Sequence, residues 1–249
     1  MFSLNMEFAL IAFLLSGALA GGFVNGLSGF GTSMVALSFW LHVAPPMVAV
    51  PIAVICSLTG HLQTFPSIWR SVKFRVAMPF LIGGLAGVPI GVYLLSNISV
   101  DLFKRYLGVA IILYCLFMLR RSLEPVVRCN LVSADLSVGF IGGILGGLSG
   151  LSGLVPSIWS SMKDWDKATK RGIFQTFNFV IAFFTLASQA FAGLITEEVM
   201  TLMLIALPGT ICGVWLGHRV YKNLPDRRFN QVIYGILICA GLTLIANSM

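Results

Sequence analysis

The sequence is short of charge. Of its 249 residues only 10% are Asp, Glu, Lys or Arg, while 57% are hydrophobic. A soluble domain carries about 25% charged residues, and a globule in water could not wet its surface with so few. Lipid is the solvent that fits. Acidic side chains are the scarcest, nine against sixteen Lys and Arg. Glu7, Asp101, Glu124, Asp135, Asp164, Asp166, Glu197, Glu198 and Asp226 all fall at or near the ends of apolar stretches, so no carboxylate lies deep in one. Cation transporters and many proton pumps place Asp or Glu inside the membrane. The absence argues against cation transport and points to neutral or anionic cargo.

Other absences exclude other chemistry. There is no Walker motif, zinc-ligand spacing or nucleophile elbow, so neither ATP hydrolysis nor a standard hydrolase is supported. Cys56, Cys115, Cys129, Cys212 and Cys239 are odd in number, scattered and without a CxxC pair; they read as small core residues rather than disulfides or metal ligands. The pattern calls for no metal or other cofactor. A net charge of +7 reads as short basic loops on the cytoplasmic side. It does not read as a nucleic-acid surface, because no basic, aromatic-interleaved domain is present. The first residues are apolar, lack a basic n-region and meet their first charge at Glu7, which predicts a first membrane segment rather than a cleaved signal peptide. Trp40, Trp69, Trp159, Trp165 and Trp215 suit anchoring at membrane interfaces.

What is present is repetition. GGFVNGLSGFGTSMVALSFW (Gly21 to Trp40) resembles GGILGGLSGLSGLVPSIWSS (Gly142 to Ser161), with GLSG recurring at a shift of 121. CSLTGHLQTF (Cys56 to Phe65) matches AFFTLASQAF (Ala182 to Phe191), and GVPIG (Gly87 to Gly91) matches GVWLG (Gly213 to Gly217), at a shift of 126. One small insertion reconciles the shifts. Several matches in order indicate duplication, with repeats at 1–125 and 126–249 in one membrane domain. The spacing predicts an interrupted segment at 5–42 and helices at 46–65, 75–95 and 101–119. The second half repeats this with an interrupted segment at 133–162 and helices at 169–191, 198–220 and 228–247.

Charge decides between two topologies. If each interrupted segment crossed the membrane once, the basic loops at 163–171 and 219–228 would lie opposite those at 66–75 and 120–130. If each dips in and returns, all four share one side and Glu197/Glu198 lie on the other, as the positive-inside rule requires. Each half is then a re-entrant helical hairpin followed by three transmembrane helices. An odd number of crossings inverts the second half, an arrangement common in secondary transporters. The fold class expected is thus an all-α polytopic membrane protein of two inverted four-segment repeats.

In this topology GLSGFG and GLSGLSG form the hairpin tips. Glycines at such density break a helix, whereas those at Gly83, Gly84, Gly87, Gly91, Gly213 and Gly217 are explained by close helix packing. A short helix starts after each tip, presenting unpaired N–H groups and about half a positive charge. Two such ends facing each other make an anion site without a buried Lys or Arg. The residues proposed to line it are Asn25, Gly26, Ser28, Gly29, Gly31 and Thr32 at the first tip, and Gly147, Ser149, Gly150, Ser152 and Gly153 at the second. Thr59/Gln63 and Thr185/Gln189, four residues apart on one face, and Gln175 with Asn178 either line the path or tie helices together. His61 is a candidate for proton coupling, against the plainer reading of a polar residue near a membrane face.

The ordered blocks GGFVNGLSGFG, GGILGGLSGLSG, DWDKATKRGIFQTFN, GVPIG and GVWLG resemble the sulfite exporter TauE/SafE (TSUP) family over nearly the whole chain. The resemblance implies a multi-pass transporter of the bacterial cytoplasmic membrane, with about eight membrane segments and a cargo of sulfite, organosulfonates or similar small anions. The chain departs from the family pattern at Gly172-Ile173, where a Thr-Ser is expected, and at Pro45 and Pro46. The reading is a secondary transporter acting as an exporter, a monomer or homodimer in the lipid bilayer, with a small anionic substrate and no nucleic-acid partner. The alternatives are a membrane-embedded enzyme, which predicts polar groups clustered at one face, and a non-transporting membrane subunit, which predicts a long soluble loop or tail.

Overall fold

The structure is a computed structural model that describes residues 2–64, 74–120, 132–221, 237–238 and 241–246. The first half forms α1 (Phe2–Ser28), α2 (Thr32–Trp40), α3 (Pro46–Thr64), α4 (Phe74–Asn97) and α5 (Val100–Arg120). The second forms α6 (Val132–Ser149), α7 (Leu154–Met162), α8 (Lys167–Phe191) and α9 (Glu197–Tyr221), and residues 237–238 and 241–246 are also helical. No β-strand occurs among the described residues. Seven of these helices are long and apolar enough to cross a membrane. The helices expected from the sequence fall within two residues of those observed for α3, α4, α5, α8 and α9. Most of the segment expected at 228–247, the loops at 66–73 and 121–131, and Cys129, Cys239 and Trp69 lie outside the described residues.

Helices α2 and α7 are nine residues each, about 14 Å long and too short for a hydrocarbon core of about 30 Å. Glycines with positive φ separate them from the long helices before them: Gly29 and Gly31 at 79° and 95°, and Gly150 at 69°. The chain then doubles back. Trp40 Nε1, at the end of α2, donates to Leu14 O at 3.1 Å. Trp159 Nε1, near the end of α7, donates to Asp135 Oδ1 at 2.6 Å. Leu14 and Asp135 are equivalent positions at the 121 shift.

The halves grip each other through glycine. A Cβ on Gly83, Gly87 or Gly91 of α4 would strike the carbonyls of Leu136, Phe140 and Ile144 of α6, and one on Gly143 or Gly147 would strike Gly84 and Val88. At the other seam Gly209, Gly213 and Gly217 of α9 face the carbonyls of Leu15, Leu19 and Phe23, and Gly22 and Gly26 face those of Thr210 and Val214. The second set is the first with the two repeats exchanged, under the same shifts of 121 and 126. At both seams the residue numbers rise together, so α4 runs parallel to α6 and α1 parallel to α9. Without side chains between them the backbones approach closely, which is how helices gain dispersion energy in lipid.

Two features depart from the sequence expectation. Trp40 is not an interfacial anchor: it is fully buried because its indole seals the α1–α2 pair. Trp159 and Trp165 serve the interior as well, standing 5.2 and 5.4 Å from Lys163 Nζ. That ammonium is buried and pairs with Asp135 at 3.1 Å. Among the described tryptophans Trp215 alone fits the expectation, exposed beneath Arg219.

Candidate functional site

The two helix breaks meet. One cavity of about 20 Å³ is lined by Phe30, Gly31, Ser33 and Met34 from the first break and by Gly150, Leu151, Ser152, Gly153 and Leu154 from the second. Ser57 and His61 of α3 and Asn178 of α8 complete it. A smaller void of about 10 Å³ adjoins the same Ser57, His61, Gly150 and Ser152 and adds Val54, Gly146, Ala182 and Thr185. The larger has room for about one water molecule, so the two breaks are closely packed at this point.

Both short helices begin at this centre. Their N-caps are Gly31 and Gly153, and neither has a side-chain cap. The first turn of α2 leaves its amide groups without an intrahelical partner, whereas in α7 Leu154 N donates to Leu151 O at 3.2 Å and Pro156 has no N–H, which leaves the amide of Val155. Side chains tie the breaks to the long helices. Ser33 Oγ and Ser57 Oγ are 3.0 Å apart, Ser152 Oγ donates to Asn178 Oδ1 at 2.8 Å, and Asn25 Nδ2 donates to Thr32 Oγ1 at 2.7 Å.

Polar atoms around the centre are left over. Asn25 Oδ1, His61 Nδ1, Asn178 Nδ2, Thr185 Oγ1 and both amide atoms of Gln175 are buried without a hydrogen-bond partner. None of these residues is more than 5% exposed. Each such group costs about 1–3 kcal/mol in an apolar interior. Among the described residues no Lys, Arg, Asp or Glu lines either void.

Residues 13–244 match the family described as Sulfite exporter TauE/SafE. The chain belongs to that family. It is a family of membrane transporters rather than enzymes, and the match takes in nearly the whole chain. No curated protein and no solved structure matches the chain.

Within this TauE/SafE chain the expected site residues divide. Gly31, Gly150, Ser152, Gly153, Asn178, His61 and Thr185 line the two voids. Gly29 lies against the Gln175 side chain, and Asn25 and Thr32 are bonded to each other. Gly26 and Gly147 instead sit in the seams against Val214 and Val88. Ser28 and Ser149 turn back to the carbonyls of Val24 and Leu145. Thr59 does the same to Ile55, and Gln63 is exposed. Its repeat partner Gln189 is fully buried, with both amide atoms unpartnered. Sequence reasoning missed Ser33, Ser57 and Met34. Ser57 was findable, since it lies four residues before His61 and shares its helix face.

Proposed function

We propose that the chain is a secondary transporter, an exporter, of small anions such as sulfite, organosulfonates or related carboxylates, and that it works in a bacterial cytoplasmic membrane. The anion binds between the two hairpin tips, held by backbone amides of α2 and α7 and by the hydroxyl and amide groups around them. The observation that carries this reading is the convergence of two uncapped helix starts on one cavity lined by neutral donors. Helix N-termini favour negative charge, and the family brings sulfite as the reference cargo.

The inverted repeat is part of the proposal. Its support is the pairing of α1 with α9 and α4 with α6 in parallel, through exchanged contacts. With α3, α4 and α5 crossing in alternate directions, α6 then runs opposite to α1. Rocking of one repeat against the other opens the central site to each side in turn. His61, which lines both voids, is the candidate for coupling a proton to this cycle.

A ligand screen tests the cargo. Purified protein is heated with sulfite, sulfate, thiosulfate, sulfoacetate, taurine or lactate, and the melting temperature is followed. A ligand at a hundredfold excess over its dissociation constant stabilises by about 2.7 kcal/mol, so sulfite or a sulfonate is expected to stand out. A rise with taurine alone, or with none of the six, would reject the anion reading.

A further inference from the structure

Resting on the anion reading above, we infer that the site takes its oxyanion as a singly charged species that keeps a proton, hydrogensulfite rather than the sulfite dianion.

Charge balance is the first argument. Each helix start contributes about half a positive charge, so two supply about one. Among the described residues the lining holds no Lys or Arg, and its one titratable group, His61, adds no charge as the neutral imidazole. The penalty for burying an ion rises with the square of its charge, so a dianion leaves one charge unmatched where desolvation is most severe. The neighbouring elements do not change the sum. On α8 the nearest cation is Arg171, one turn before Gln175; it lines neither void and has interactions of its own. On α9 the face meeting Gly60 carries Val214, with His218, also engaged, one turn further on. On α3 itself the neighbouring titratable group is Cys56, outside both linings. The α1–α2 and α6–α7 tips offer Ser33, Ser152 and backbone alone.

Hydrogen-bond type is the second, independent argument. Asn178 Nδ2 and Thr185 Oγ1 are unpartnered donors, but His61 Nδ1 is an unpartnered ring nitrogen that accepts when the imidazole is neutral with its proton on Nε2. An anion with acceptor oxygens alone leaves that nitrogen facing like electron density. An oxyanion retaining one O–H satisfies it by donating, while its other oxygens accept from the amide and hydroxyl groups. The proton then crosses on the substrate, and His61 reads its presence.

The test compares sulfite, which loses its last proton near neutral pH, with methanesulfonate, a monoanion at every pH used. Binding of each to the full-length protein is measured by calorimetry on both sides of neutrality. Sulfite affinity is expected to fall about tenfold per pH unit on the alkaline side while methanesulfonate is unchanged. His61→Phe is expected to cost sulfite about tenfold and methanesulfonate little, with the preference recovered in His61→Gln, which restores an acceptor. Sulfite affinity that holds or rises with pH, two anions falling in step, or equal losses in His61→Phe would each overturn the inference. Failure of both anions to bind at any pH would instead reject the anion site itself.

Discussion

At Gly29 and Gly150 the backbone takes φ of 79° and 69°, where an L side chain costs about 1–2 kcal/mol. Space is lacking as well: a Cβ would run into Gln175 at the first and Ser33 at the second. Gly29→Val and Gly150→Val are therefore expected to abolish flux while the protein still inserts and elutes as a single species. Gly193 provides the control, with φ of 73° and nothing within 4 Å of an added Cβ. Gly193→Ala should bear the backbone cost alone and keep its flux; loss of flux there would tie the effect to backbone strain rather than to the tips. The residue scale also shows where sequence stops being informative. GLSG announces its own helix break, because no other composition gives such dense glycine among hydroxyls. Gln63 and Gln189 match in the repeat yet lie in opposite environments, since a match fixes the helix but not the face turned inward. Trp40 misled for the same reason: an indole at an expected helix end serves lipid or interior equally well until the partner carbonyl of Leu14 is known.

Among the elements, the α6–α7 pair carries something its counterpart lacks. Where α1 offers Leu14, α6 offers Asp135, buried against Lys163 and Trp159. The sequence placed both charges near segment ends but could not pair them, because 28 residues and a reversal of direction separate them. Breaking a buried pair from one side is costly. Lys163→Met is expected to destabilise by about 3–5 kcal/mol, and the double variant Asp135→Leu/Lys163→Met to recover most of that. Denaturant unfolding in detergent reads both; a single variant within error of the wild type would mean the pair contributes nothing. The helix boundaries themselves were legible, since each apolar run ends where charge, glycine or proline begins. The seams were legible only in part. Spaced glycines promise close packing, but which helix fills the groove emerges from the exchange of the two repeats.

For the whole molecule, the account requires the basic loops to share one side. Single cysteines at Pro125, Trp165 and Leu224, in a background without the native thiols, should label from the cytoplasmic face, and one at Glu198 from the other. Labelling of positions 165 and 224 from the side opposite 125, with 125 then sharing the side of 198, would restore eight simple crossings and dissolve the pair of facing tips. Family membership points to sulfite or a similar anion as cargo, and the proposed resting place for it is the centre between the two helix breaks. The most direct measurement is uptake of labelled sulfite into proteoliposomes by the wild type and by Asn178→Leu. Asn178 Nδ2 is unpartnered inside the fold, while its Oδ1 accepts from Ser152 Oγ, so an apolar replacement of similar size strands that hydroxyl and should cost about 1–3 kcal/mol of stability. The account predicts rapid uptake by the wild type, and a variant that still folds and inserts, melts only modestly lower, yet carries less than about a tenth of the flux, the loss of a hydrogen bond to a charged ligand. Wild-type liposomes no faster than empty ones, or undiminished flux in Asn178→Leu, would contradict it.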